Sequence, residues 1–276
     1  MSQFLALLSG AMWGIADFSG GLGSRRIGSY RFTAWAQLAS VPVLMVGVFL
    51  VKAEELAARD LAIGAVAGLL GLVGLFALYS ALAAGTMSTV APITGVLTVG
   101  IPMVWGIATG DSITRIQWLG IAAAIVGILL IARDHEHAKL TKAVAVQAVV
   151  ASLGFAGFYV VLDLASDGAG LWPILAARAA TIPAAFVVAF VMTKSIPRPT
   201  RSVLPFVVGT GFLDATANFL ILRAIQTGPI SIAVVLNGLF PVFTTIAAIV
   251  FLAERPTRSQ LSGIALAITA SVLLLL

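Results

Sequence analysis

Charged side chains inside long apolar runs are the groups of this chain whose type and position could do chemistry. A charge near the centre of a hydrocarbon layer costs about 2.5 to 3.5 kcal/mol on insertion scales, so it persists where it has a function or a partner. Asp17 follows Trp13 by four residues, a spacing that puts a carboxylate and an indole on one helix face. Two readings of Asp17 stand side by side. It takes a proton or binds a substrate amine, or, lying roughly 7.5 Å from the end of its run, it pairs with Arg25 or Arg26. Asp214 sits near the middle of a later run, with Asn218 one turn on and Arg223 toward the end. Arg178, in the preceding run, is the expected buried partner of Asp214, because a paired charge is far cheaper in hydrocarbon than a lone one. Such a pair serves as structure or as part of a site. Asp163, one turn after Tyr159, stands close to a loop, and a solvated place competes there with a place in a cavity.

Pro92 with Thr94 and Thr98 in one run, and Asn237 with Pro241 in another, mark candidate cavity-lining helices. A proline cannot donate the helical hydrogen bond and frees a carbonyl that a substrate or water can use, although prolines are also common in membrane helices without that role. Tyr79, Trp105 and Phe240 are candidate apolar walls, whereas Trp118 and Trp172, at run ends, read as interfacial anchors. The substrate-binding or coupling candidates are therefore Trp13, Asp17, Tyr79, Thr94, Thr98, Tyr159, Asp214, Asn218 and Asn237. Arg178 is the ion-pair candidate, and Pro92 and Pro241 are the helix bends. His135 and His137 alternate with Asp134 and Glu136 in a loop; HxH can hold a metal, but a solvated loop is the plainer reading, and neither a metal nor a cofactor is expected. No set of catalytic residues is visible.

The elements that hold these residues must be membrane helices. Of 276 residues 60% are hydrophobic and 10% charged, with mean hydropathy +1.09, far outside the range of water-soluble domains. About twenty apolar residues cross a hydrocarbon core of ~30 Å. Cutting at charges and turn residues predicts spans near 3–22, 30–51, 61–83, 87–109, 114–132, 143–164, 171–193, 202–224, 229–252 and 258–276. The run behind Met1-Ser-Gln lacks the positive flank of a secretory signal and is expected to be the first span. The basic residues sit almost entirely between spans, Arg178 excepted, which is loop charge and not a nucleic-acid stripe. Cysteine is absent, which removes thiolate chemistry. Gly10-xxx-Gly14 and Gly64-xxx-Gly68 read as close helix packing.

Sliding the sequence against itself by 143 residues aligns Phe76 with Phe219, Gly85 with Gly228, Gly95 with Gly238, Thr114-Arg115-x-Gln117 with Thr257-Arg258-x-Gln260, and Gly120-Ile121-Ala122 with Gly263-Ile264-Ala265. The same offset pairs Ser9 with Ser152, and a small gap pairs Pro42 with Pro183. The expected fold is thus an all-α integral membrane protein of ten transmembrane helices, made of two five-helix repeats over 1–136 and 137–276. Five is odd, so the second repeat enters from the opposite side and the two are inverted, an architecture that builds one midplane pocket able to open to either side.

Met12-Trp13-Gly14, the link from Ala83 to Ser88 with Val90-Ala91-Pro92 behind it, and Ala253-Glu254-Arg255-Pro256 leading to Gly263 together resemble the EamA family of the drug/metabolite transporter superfamily, over the whole chain. The resemblance implies a ten-helix exporter or permease of metabolites, commonly amino acids, in a bacterial inner membrane. It also implies cytoplasmic termini. The charges point the other way, since links after odd-numbered spans hold eleven basic residues and those after even-numbered spans four, which favours termini outside.

The function expected is secondary, not ATP-driven, transport of a small organic solute by alternating access, since no P-loop is present. A passive channel is the alternative, and an integral-membrane enzyme is a more remote one: no HExxH, GxSxG or acidic metal cluster appears. The expected partners are the small-molecule substrate and the lipid bilayer, with protons and a second copy in a homodimer as candidates, and no nucleic acid.

Overall fold

Apolar runs of this length can satisfy their backbone groups in hydrocarbon as helices, and helices are what form. A computed structural model describes residues 1–84, 87–133, 141–252 and 255–276, with the side chains of 87–89, 91–93, 132 and 133 outside that description. Among the described residues there is no strand, and the helices are α1 (Ser2–Ile27), α2 (Ser29–Ala39), α3 (Val41–Leu50), α4 (Ala58–Ala84), α5 (Met87–Thr109), α6 (Arg115–Arg133), α7 (Lys142–Leu162), α8 (Trp172–Thr193), α9 (Leu204–Thr227), α10 (Ile230–Asn237), α11 (Phe240–Leu252) and α12 (Arg258–Leu275).

Eight stretches among the described residues are long and apolar enough to cross a membrane, counting α2 with α3 and α10 with α11 as one each. The fourth and fifth expected spans fall on α5 and α6, whose described apolar stretches, Thr94–Thr109 and Arg115–Ile131, are shorter. Two of the expected spans cross as single stretches but are interrupted inside them, the ninth beside the bend expected at Pro241. The second divides at Ser40, just before Pro42, and the ninth at Gly238 and Leu239, just before Pro241. In each case the proline sits in the first turn of the new helix, where its missing N–H leaves no helical bond unmade. Pro92 lies on α5, but its side chain is outside the described residues, as are His135 and His137.

Polarity runs inward. Val66, Val73, Leu129, Val187 and Val250 are exposed on the outer surface, while Ser9, Asp17, Gln37, Arg178, Asn218 and Asn237 are buried. That is the distribution expected of a multi-pass protein whose outer solvent is lipid. The tightest helix pairs are α4 with α7, α6 with α12 and α1 with α9. Both Gly-xxx-Gly pairs do bring backbones together: a Cβ on Gly10 would lie 2.8 Å from the Asn237 carbonyl oxygen, and one on Gly68 would lie 2.6 Å from the Ala177 Cβ. Gly14 meets the Phe240 carbonyl of α11, and Gly64 meets the Pro173 carbonyl of α8.

The repeated TRxQ block has a plain cause. The Thr114 hydroxyl accepts from the Gln117 N–H at 3.2 Å while the Gln117 side chain accepts from the Thr114 N–H at 3.0 Å, and Thr257 with Gln260 does the same at 3.2 and 3.0 Å. Each is a capping box that starts a helix, α6 and α12 respectively. Other acids also hold ends together: Asp60 accepts from the N–H groups of Ala57 and Ser166, each at 2.9 Å, and Asp111 accepts from the Ser231 N–H at 2.8 Å at the start of α10.

The glycine contacts make a testable contrast. Gly64→Ala puts a methyl onto the backbone of α8, whereas Gly209→Ala enters open space. We expect the first to lower stability by about 1 to 3 kcal/mol and the second to leave it unchanged, read as thermal unfolding midpoints in detergent. Equal midpoints for the two variants would contradict the packing described.

Candidate functional site

The buried polar groups converge on a cavity of about 70 Å³ at the middle of the helix bundle, room for several waters or one small solute. Helix α1 contributes Trp13 and Asp17, one turn apart. Helix α9 contributes Asp214 and Asn218, also one turn apart, and α8 contributes Arg178. Phe155, Phe158 and Tyr159 of α7 and Phe240 of α11 make an aromatic wall, and Gly68 and Gly71 on α4 leave the space that larger side chains would fill.

Arg178 and Asp214 form an ion pair, with side chains 7% and 15% exposed. The pair is closely chaperoned. Asp214 Oδ1 also accepts from the Trp13 indole N–H at 3.0 Å and from the Asn218 amide at 3.2 Å. Arg178 donates a second hydrogen bond to Gln37 Oε1, which accepts from the Thr181 hydroxyl as well, at 3.1 Å. The remaining guanidinium nitrogen, Nε, is buried without a partner among the described residues, as is the hydroxyl of Thr98. A charged pair in hydrocarbon needs its lone pairs and protons met by such neighbours.

Asp17 is different. It lines the cavity, is 6% exposed, and among the described residues receives no hydrogen bond and forms no ion pair. The expected alternative, pairing with Arg25 or Arg26, does not form: Arg25 donates to the Leu82 carbonyl at 3.3 Å, and Arg26 donates to the Ser202 carbonyl at 3.0 Å and lies over the Phe206 ring. Geometry explains it. Arg26 follows Asp17 by nine residues, roughly half a turn out of phase on a helix of 3.6 residues per turn, and roughly 13 Å along the axis.

Behind the aromatic wall runs a second polar chain. Tyr159 donates to Asn237 at 2.5 Å, the Asn237 amide donates to Ser9 at 2.9 Å, and the Ser9 hydroxyl donates to the Ala217 carbonyl at 2.8 Å. Asn237 thus backs the wall without lining the cavity. Thr94 is also structural in place: its hydroxyl bonds the Val90 carbonyl of its own helix, and its carbonyl accepts from Ser152. Tyr79 lies beyond the cavity, filling the space over Gly20 and meeting Phe32 edge-on at 5.9 Å. Trp105 does not line the cavity either; its indole donates to Asp163 at 2.8 Å. Asp163 caps the end of α7, one residue past the helix. Arg223 turns to Gln226 on its own helix.

Gln37 is the site residue that reading by charge overlooks. An amide inside an apolar run was a visible signal, and under the gapped alignment that pairs Pro42 with Pro183 it occupies the place of Arg178.

An all-helical bundle with outward apolar surfaces and a central polar cavity defines a multi-pass membrane protein. The sequence profile of the EamA-like transporter family matches residues 1–133 and 142–276, and the chain belongs to that family. No curated protein matches it. Among solved structures 22 chains match. In one of them, a crystal structure of a protein 14% identical in sequence, the fold is shared at a TM-score of 0.77, over 100% of this chain and 98% of that one.

Burial raises the Asp163 carboxyl above its usual range, against the opposing effect of the Trp105 indole N–H. An acid with a raised folded-state pKa favours the fold when protonated, so its contribution is present at low pH and lost as pH rises through the folded-state value. Asp163→Asn keeps an acceptor for Trp105 and removes that loss. We expect unchanged or higher thermal stability at pH 7 for Asp163→Asn, but a decrease of about 0.5 to 1.5 kcal/mol for Asp163→Leu, which leaves the indole unpaired. Equal losses in both would mean that the charge itself is needed.

Proposed function

We propose that this protein is a secondary transporter of a small organic solute, an amino acid, organic cation or related metabolite, working by alternating access in a bacterial inner membrane. In this reading ten spans form two five-helix repeats, 1–136 and 137–276, inverted about an axis that passes through the cavity.

The observation that carries it is the recurrence of contacts under one exchange of halves. The Asn237 amide donates to the Ser9 hydroxyl and the Ser152 hydroxyl donates to the Thr94 carbonyl, so equivalent positions at the 143-residue offset meet in both halves, through different atoms. A Cβ on Gly120 would meet Leu274 and one on Gly263 would meet Ile131, again equivalents. Residues equivalent to each other touch where a two-fold axis would run: Gly95 packs on Gly238, and Gln37 is bonded to Arg178. A site on such an axis is met by both halves alike, which suits it to face either side in turn. The ends of the bundle are held by separate ties, as alternation requires. At one end the Glu54 and Glu55 N–H groups donate to the Gly168 carbonyl at 2.9 and 3.2 Å. At the other, Arg31 and Trp35 donate to the Ser195 and Pro197 carbonyls at 2.9 and 3.1 Å.

Asp17 and Asp214 are the groups we assign to proton coupling. Proteoliposomes loaded with labelled amino acids and amines decide the matter: a carrier shows saturation and counterflow, and a pH gradient drives uptake that Asp17→Asn and Asp214→Asn abolish. Unsaturable flux without counterflow would make the protein a channel. Coupling that survives both substitutions would remove the carboxylates from the mechanism.

A further inference from the structure

The charges around the cavity select among solutes. Among the described residues its charged lining side chains are Asp17, Asp214 and Arg178, two carboxylates against one guanidinium. Asp214 and Arg178 neutralise each other, Asp214 is further saturated by Trp13 and Asn218, and Arg178 is further engaged by Gln37 with its Nε buried. Among the described lining residues the charge left uncommitted is the Asp17 carboxylate. Around it the rings of Trp13, Phe158 and Tyr159 stand 5.4 to 6.4 Å from one another, and the face of such a ring attracts a cation.

We infer that the ligand of this cavity is a small primary amine in its ammonium form that carries no carboxylate. The inference rests on the transport reading for its consequence but on the cavity alone for its chemistry. An ammonium brought to Asp17 leaves the cavity electrically neutral. A zwitterionic amino acid brings the same ammonium together with a carboxylate, and the cation that lines the cavity among the described residues, Arg178, is already held by Asp214. Admitting it means stripping the carboxylate of water beside Asp214, or breaking the Arg178–Asp214 pair and leaving a buried aspartate alone; both are unfavourable in a low-dielectric site. A neutral alcohol of the same shape fills the apolar space but leaves Asp17 without a cation. Discrimination built on an unmatched buried polar group exceeds what shape alone provides, so the amine is favoured over its amino acid by roughly tenfold or more.

The test uses matched pairs on the purified full-length protein in detergent at pH 7: 3-methylbutylamine against leucine and 3-methylbutanol, and 2-phenylethylamine against phenylalanine. A ligand of the native state raises the unfolding temperature in a saturable way. The expected result is saturable stabilisation by an amine, with apparent Kd at least roughly tenfold below that of its amino acid and of the alcohol. Asp17→Asn, confirmed as folded by its own cooperative unfolding, loses the amine response, and Asp17→Glu retains it. The proposal is overturned by an amino acid binding as tightly as its amine, by no amine binding, or by amine binding that survives Asp17→Asn. Counterflow in proteoliposomes separates the two claims. Amine binding without flux keeps the ligand assignment and defeats the transport reading, while flux of leucine or phenylalanine without the amine does the reverse.

Discussion

Everything at the centre of this molecule depends on burying one arginine and one aspartate together. Either charge alone in hydrocarbon costs a few kcal/mol, and removing one partner of a buried pair typically costs about 3 to 5 kcal/mol because the other is left uncompensated. The Arg178–Asp214 pair joins α8 to α9 directly, and through Trp13 and Gln37 it draws in α1 and α2. Four helices are thereby held around a space that none of them fills. The cavity is the volume that this polar cluster, too well satisfied to collapse further, keeps open.

The rest of the architecture makes that arrangement possible by bringing backbones close elsewhere. In lipid there is little hydrophobic gain from putting helices together, so contact has to come from small residues and from hydrogen bonds. Glycines at Gly10, Gly14, Gly64 and Gly68 let α1 and α4 lie against α10, α11 and α8. The breaks before Pro42 and Pro241 turn two crossing segments into pairs of shorter helices, and the break at Gly238 places Asn237 at a helix end where it reaches both Tyr159 and Ser9. The aromatic wall is thus fixed from behind by hydrogen bonds, not by packing alone.

Much of this was legible in the sequence, for physical reasons that differ by residue. The helices were legible because hydrocarbon admits few alternatives for an uninterrupted apolar run. The Arg178–Asp214 pair was legible because a lone charge in such a run demands a partner, and few candidates existed. The family was legible from short motifs in order, and the profile match over nearly the whole chain bears that out. What was not legible turned on direction and depth. Tyr79 and Trp105 have the right chemistry for a wall, but where a ring points depends on the neighbour that receives it, here Gly20 and Asp163. The choice between Asp17 facing inward and pairing with an arginine depended on helical phase over nine residues. Gln37 carries no charge, so a search by charge passes over it although it completes the guanidinium's partners. A proline announces a break in a span without saying that the break falls two or three residues before it.

The central claim is that Arg178 and Asp214 form a self-neutralised unit, so that among the described lining residues Asp17 is the carboxylate left without a partner. A double-mutant cycle in thermal stability tests it most directly, with Arg178→Met, Asp214→Leu and the two combined, since the cycle isolates the coupling between them. The account predicts that each single variant is destabilised by about 3 to 5 kcal/mol and that the double variant recovers most of that loss. Additive losses in the double variant would show that the two residues act independently, and would contradict the account.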